Sequence, residues 1–274
     1  GEAFQSYKEL ISLVEIVKGT GDLKKQRSVS ETYGFIYDEM VSALYEMSGG
    51  KSEIEKGRLA SLALEYAETN KARQFSESWG RTFVAELRRA LPADLQETER
   101  LLIAKRDQLR AKAGGQELKA DLDSVDKDIA SFVNGLNLTH PQYAAVAYPQ
   151  PVTLDSIPIR KDETLVEFKV TDESTLVWIA KNVTGNRVEL VDFYQVNKPR
   201  QWLEERIGKL RTALNSARPD NIDWHNSEEL FNELFPGPIS QLLSESKSIV
   251  FIPDGILSVL PLELLSPEAS TGHF

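Results

Sequence analysis

Catalysis needs nucleophiles, proton-transfer groups or metal ligands, and this sequence is sparing with all three. It contains no Cys, which excludes disulfides, thiolate metal sites and a thiol nucleophile together. Its His residues are His140, His225 and His273. A zinc site takes three or four ligands, which scattered His without Cys do not supply. Asp121, Asp123 and Asp126 hint at calcium, but an EF-hand loop requires Gly at its sixth position, here Asp126. They read as the solvated face of a helix. Gly19-Thr20-Gly21-Asp22 lacks the Lys and Ser or Thr of a phosphate loop and follows a helical pattern, so it reads as a linker. There is no Gly-x-Ser-x-Gly elbow. His140 precedes Pro141 in a connector and His225 lies in a polar stretch beside Trp224, so both read as surface residues. No metal or cofactor is expected. Asp254 remains. It directly follows a short apolar segment, Ser248-Ile249-Val250-Phe251-Ile252, and open α/β sheets place ligand sites at the carboxyl ends of such strands. One role is lining a cleft or ordering a loop there. The other is a turn in which the Asp side chain bonds its local backbone; turn chemistry alone accounts for Asp254-Gly255 and is the preferred reading.

The elements that would position these residues begin with a long helical region. The chain is 41% hydrophobic and 27% charged, so a packed core is expected. Phe4, Tyr7, Leu10, Ile11, Leu13 and Val14 form an apolar stripe at helical spacing. A second helix, capped by Ser28 or Ser30, would bury Tyr33, Ile36, Met40, Ala43, Leu44 and Met47 and end at Gly49-Gly50. A third starts near Lys51-Ser52, presents Ile54, Leu59, Leu62, Ala63 and Tyr66, and runs to about Ala90, with room for a kink.

Pro92 opens the next helix, where proline is favoured. Leu95, Leu102 and Leu109 fall seven apart, with Thr98 and Lys105 taken as the intervening positions of a weak seam. Beyond Gly114-Gly115, Leu118, Leu122, Val125, Ile129, Phe132 and Leu136 form a clear heptad seam. Together these arms predict a long antiparallel hairpin that projects into solvent.

Pro141, Pro149, Pro151 and Pro158 end the long helices. The period then changes to two. Residues 164–170, 174–180 and 188–191 read as a meander of antiparallel strands, with a turn at Gly185-Asn186. Helices follow at about 198–215, 227–234 and 238–243. The strand 248–252 is almost wholly apolar, as in parallel sheets covered on both faces. Trp79, Trp178, Trp202 and Trp224 read as core or edge anchors with bonded N–H groups.

A net charge of -10 argues against a nucleic-acid backbone binder. The Lys and Arg between Lys71 and Arg110 fit pairing with neighbouring Glu along helices. No apolar run approaches a membrane span and Gly1-Glu2-Ala3-Phe4 lacks the zones of a signal peptide. Asn137-Leu138-Thr139 and Asn182-Val183-Thr184 match the glycosylation pattern by coincidence on this reading. The expectation is a cytoplasmic protein with neither nucleic-acid nor membrane partners. A Gly at position 1 and the stop at Phe274 soon after an apolar run read as the ends of a segment cut from a longer protein.

The run Ile249-Val250-Phe251-Ile252-Pro253-Asp254-Gly255-Ile256-Leu257-Ser258-Val259-Leu260-Pro261-Leu262-Glu263-Leu264-Leu265 resembles the strand-PDG-LP segment of CHAT domains, caspase-like cysteine proteases distantly similar to separase. Residues 63–73 resemble the last tetratricopeptide-type helix that precedes such domains. The heptad hairpin, Pro141-Gln142-Tyr143-Ala144, Asp162 to Phe168 and the Trp178 strand follow in the family's order. The resemblance covers roughly residues 55–267. It implies an α/β class (α+β overall): a repeat-like helical region at 1–90, the hairpin at 91–137, and an incomplete caspase-like domain at 138–274. It implies a catalytic His and Cys downstream of this chain; His140, His225 and His273 do not match the family's His motif, and no catalytic residue carries over. The implied function is the non-catalytic N-terminal part of a regulated cysteine peptidase. The remaining C-terminal part of the protease and a protein substrate or regulator would be its partners. A helical-repeat interaction scaffold with a caspase-like pseudoenzyme domain is the alternative. A helical-repeat protein with an unrelated α/β domain is a further one, which an antiparallel strand at 248–252 would favour.

Overall fold

The computed structural model describes residues 5–8, 10–11, 34–110, 112, 116–148, 152–183, 187–216 and 222–267. Several expectations fall outside these: the Gly19–Asp22 linker, the Ser28 or Ser30 cap, Tyr33, the breaks at Gly114-Gly115 and Gly185-Asn186, the Trp79 side chain and His273. The chain forms two compact units, Gly1–Ala43 with Glu65–Val152, and Leu44–Leu64 with Thr153–Phe274. The expected segments 1–90 and 91–137 thus lie in the first unit together with residues 138–152, except for residues 44–64. Among the described residues no helix is long and apolar enough to cross a membrane.

Helix α1, Phe35–Ser48, buries Ile36, Tyr37, Met40, Val41 and Leu44, the i, i+4 rows of one face. Gly50 ends it at φ +70°, a left-handed position that a Cβ would strain. Helix α2, Glu53–Arg89, is a single 37-residue element. A capping box starts it: the Ser52 hydroxyl accepts from the Glu55 N–H, and the Glu55 carboxylate accepts from the Ser52 N–H. Its buried stripe is Ala60, Ala63, Leu64, Ala67 and Asn70. Of the expected face Ala63 is buried, whereas Ile54 is 87% exposed and Leu59, Leu62 and Tyr66 are only half-buried.

In the first unit, α3 (Ala93–Arg110) packs against α4 (Gln116–Thr139) as the expected hairpin. On the heptad seam of α4 Val125 and Leu136 are buried and Leu122, Ile129 and Phe132 half-buried, and Val133 beside it is buried as well. The seam of α3 differs in phase. Thr98 and Lys105 are exposed, while Glu99 is buried and Arg106 half-buried, giving 95, 99, 102, 106 and 109 as the packed row. Pro141 does not end helix formation; it opens a short helix α5, Pro141–Ala147, with His140 as its N-cap residue. That helix returns Tyr143 and Tyr148 to Glu99. Both hydroxyls donate to one Glu99 oxygen, and Arg88 lies 2.7 Å from the other. A cluster of Leu91, Leu136, Tyr143 and Ala144 closes around them. The base of the hairpin is thereby tied by a buried, charge-assisted network.

The second unit is built on a sheet of strand order β3-β2-β1-β4. Strands β1 (Glu163–Val170), β2 (Thr175–Asn182) and β3 (Val188–Val196) form the expected antiparallel meander. β3 runs five residues past the expected Val191, because a register shift opposite Ile179/Ala180 breaks its alternation without ending the pairing. Helices α6 (Arg200–Asn215), α7 (Trp224–Leu234) and α8 (Gly237–Ser244) then cross one face. They deliver β4, Ser248–Ile252, parallel to β1. A parallel neighbour needs such a crossover.

Alternation along the strands sorts the two faces. Val166, Phe168, Val170, Val177, Ile179 and Val196 point to the crossover helices and pack on Leu203, Ile207, Leu230, Leu234, Ile239 and Leu243. Each such side chain contributes roughly 1.5–3 kcal/mol of transfer free energy. The opposite face carries Leu165, Glu167 and Lys169 beside Leu176, Trp178 and Ala180. Residues 44–64 cover it: the Trp178 indole N–H donates to the Ala60 carbonyl at 2.9 Å, and Phe193 lies between the rings of Trp178 and Tyr45. Helices therefore flank both faces of this sheet. β4 departs from expectation. It is an outer strand, with Ile249 and Phe251 packed on the crossover side while Ser248 is exposed and Val250 is 38% exposed. Its apolar composition reflects one covered face, not two.

Candidate functional site at the carboxyl ends of β1 and β4

The parallel register pairs Glu167 with Ile252, where β4 ends. β1 continues through Phe168 and Lys169 to Val170. The lane beside its last residues would leave the Val170 N–H without a strand partner, and buried backbone donors are almost always paired. Asp254 fills the lane. Its Oδ2 accepts from the Val170 N–H at 2.8 Å and lies 3.3 Å from Lys169 Nζ. Two residues beyond the last register pair, this places Asp254 beside Lys169.

Both partners are secluded, at 4% exposure for the Lys169 side chain and 13% for Asp254. A buried ammonium demands a counter-charge, and Asp254 supplies it. The expectation that Asp254 bonds its own turn is corrected here. The side chain makes no cap bond to the helical turn that follows; the local bond comes from the Asp254 carbonyl, which accepts from the Leu257 N–H at 3.1 Å. Turn chemistry explains Gly255 instead. Its φ of +53° is left-handed, and an added Cβ would only touch Val170 Cβ at 3.9 Å, so conformation rather than space requires glycine. The turn Gly255–Val259 then sends Leu257 and Leu260 into the sheet's core. A second turn, Leu262–Leu264, is held by the Ser227 hydroxyl donating to the Leu264 carbonyl.

The neighbouring β1–β2 turn completes this end of the sheet. Thr171 and Ser174 bond across it, and Gln195 of β3 donates to the Ser174 hydroxyl at 2.7 Å. Arg200, the first residue of α6, lies 3.2 Å from the exposed Asp172 carboxylate. The arrangement ties the loop after β4 to the end of β1 through a shielded ion pair and a bond to a backbone N–H, with no thiol in the chain.

The remaining residues singled out in the sequence lie elsewhere. Asp121, Asp123 and Asp126 are exposed on α4, inside a helix that cannot form a calcium loop. His225 sits exposed in the first turn of α7, 3.5 Å from Glu228. His140 bonds the adjacent Thr139 hydroxyl. Among the described residues no group of His, Cys, Asp and Glu is placed to hold a metal ion. Sequence reasoning missed Lys169. A Lys near the end of a mostly apolar strand, on the phase of Leu165, was the available signal, since that face is buried. It also missed Glu99, whose heptad phase relative to Leu95 and Leu102 marked it as inward-facing. Searches of family models, of curated proteins and of solved structures return no match to this chain.

Proposed function

We propose that this chain is the non-catalytic front portion of a caspase-like cysteine peptidase of the CHAT type, which frames a thiol chemistry supplied by another part of the protein. The observation that carries the reading is the parallel pairing of β4 with β1, followed at their carboxyl ends by the Asp254 loop. That is where an open α/β sheet binds ligands. Helices on both faces of the sheet support it, as does the resemblance of residues 249–265 to the family's hallmark segment. The outer edge of β4 is where the next strand of the C-terminal part would pair, covering Val250. That part would bring the Cys nucleophile and the His that moves its proton. Asp254, fixed by Lys169 and Val170, would hold the floor of the cleft in register. The helical first unit would receive a substrate or regulatory protein.

The test is a cleavage assay on the intact protein with Asp254→Asn beside the wild type. Loss of cleavage with an unchanged melting temperature gives Asp254 a cleft role. A loss of stability alone limits it to anchoring the loop. Cleavage by the isolated 274-residue chain contradicts the proposal.

A further inference from the structure

The second unit has another outer strand, β3, and the ground beside it is shaped differently from that beside β4. The register shift opposite Ile179/Ala180 leaves Val191 without a partner in β2, and its side chain is 45% exposed. Among the described residues, no backbone hydrogen bond from outside the sheet reaches Leu190–Phe193; the Phe193 N–H is held by the Asp192 carboxylate at 2.8 Å, and the turn Leu154–Ser156 lies near the strand. The outward N–H and C=O groups of an outer strand are a template for an added strand.

A groove of about 470 Å³ runs alongside, between these residues and the corner where α1 passes into α2. Its apolar floor is the edge-to-face pair of Tyr45 and Phe193, with centroids 5.2 Å apart. Its rim is acidic. Glu46, Glu53 and Asp192 line it against the single ammonium of Lys56, which already bonds Glu53 at 2.9 Å. A second copy of β3 is a poor occupant, because antiparallel self-pairing would bring Glu189 and Asp192 of two chains against like charges. A basic segment has no such penalty.

The geometry points to β3 as a docking edge for an extended segment of a partner protein that carries Lys or Arg. Its backbone adds to the edge at Val191 and Phe193, displacing the Asp192 carboxylate from the Phe193 N–H, an apolar side chain rests on Tyr45 and Phe193, and its basic side chain meets Glu46 and Glu53. This site is independent of the peptidase reading, since it lies on the strand farthest from β4.

The probe is a fluorescein-labelled nine-residue peptide of alternating valine and lysine, titrated against the full chain by anisotropy. Three comparisons accompany it: the same peptide with glutamate for lysine, the same peptide N-methylated at alternate backbone positions, and the chain variant Glu46→Lys. The lysine peptide is expected to bind at least tenfold more tightly than the glutamate peptide. N-methylation should abolish binding, and Glu46→Lys should weaken it about tenfold. Equal binding of the N-methylated peptide would reduce the effect to diffuse charge attraction and overturn the proposal. So would an unchanged affinity in Glu46→Lys, whose exposed position leaves folding intact. A dimer in sedimentation velocity that the peptide dissociates would assign the edge to a second copy, and also overturn it.

Discussion

The carboxylate of Asp254 stands 3.3 Å from the ammonium of Lys169, a residue 85 positions earlier, and both side chains are largely shielded from water. The same oxygen caps the last N–H of β1. One side chain thus ends the parallel lane, neutralises a buried charge and sets the course of the loop.

Breaking the pair from one side removes a buried counter-charge. Asp254→Ala should lower unfolding free energy by about 1–3 kcal/mol, since it leaves the Val170 donor unpaired and removes a counter-charge of Lys169. The double variant Lys169→Met with Asp254→Asn should recover part of this, because the amide oxygen still accepts from Val170 and the Lys169–Asp254 charge pair is removed from both sides. Urea unfolding of the variants checks both. A single-variant loss below about 0.5 kcal/mol would show the pair to be incidental.

The backbone of the loop makes a separate demand. Gly255→Ala should cost about 1–2 kcal/mol through the left-handed φ alone, as the added methyl has room. Gly255→Asn should cost less, because Asn tolerates that region. Equal losses for the two would place the cost in crowding.

The cover that residues 44–64 give the sheet depends on Trp178. Trp178→Ala should cost about 3–5 kcal/mol as a large-to-small change at a fully buried site. Hydrogen exchange should quicken in both β2 and residues 53–64, because the indole joins them through Ala60. Faster exchange in β2 alone would contradict that packing.

Alkaline pH should loosen both units. Burial, reinforced by the bonds to Glu99, raises the ionisation of Tyr143 and Tyr148 above the ordinary range; burial, and then the charge of Asp192, raise that of Tyr194. For an acid whose folded pKa is raised, the stabilising contribution is complete below the unfolded value, near 10 for Tyr, and falls as pH rises through the folded one. Stability should therefore be insensitive to these groups up to about pH 10 and decline above it. Absorbance at 295 nm should show a late-ionising fraction in native protein that urea abolishes. The double variant Tyr143→Phe, Tyr148→Phe should remove about half of that fraction, leaving the part due to Tyr66 and Tyr194, which are also raised by burial. A native titration with all tyrosines ionising together near pH 10 would contradict the burial.

Local periodicity made the meander, the hairpin and the crossover helices legible, because strand alternation and heptad spacing are written in neighbouring residues. Long-range pairing was not. Nothing near Ile54 indicates that it is exposed while Ala60 is buried, since the partner of Ala60 is Trp178, far along the chain. The phase error in α3, Thr98 for Glu99, arose from treating a carboxylate as a surface group; two tyrosines from α5 and its C-cap make it an interior one. At the site, the PDG turn showed where the loop lies. The partner of Asp254 was hidden because Lys169 reads as an ordinary charged strand residue until the cover of its face is known.

The most direct measurement is peptide-bond cleavage by this chain alone and by the chain joined to its proposed C-terminal part, each with and without iodoacetamide. The account predicts no turnover from the chain alone, and turnover from the joined protein that the alkylating agent abolishes. Cleavage by the chain unaided, or by the joined protein after complete thiol alkylation, would contradict it.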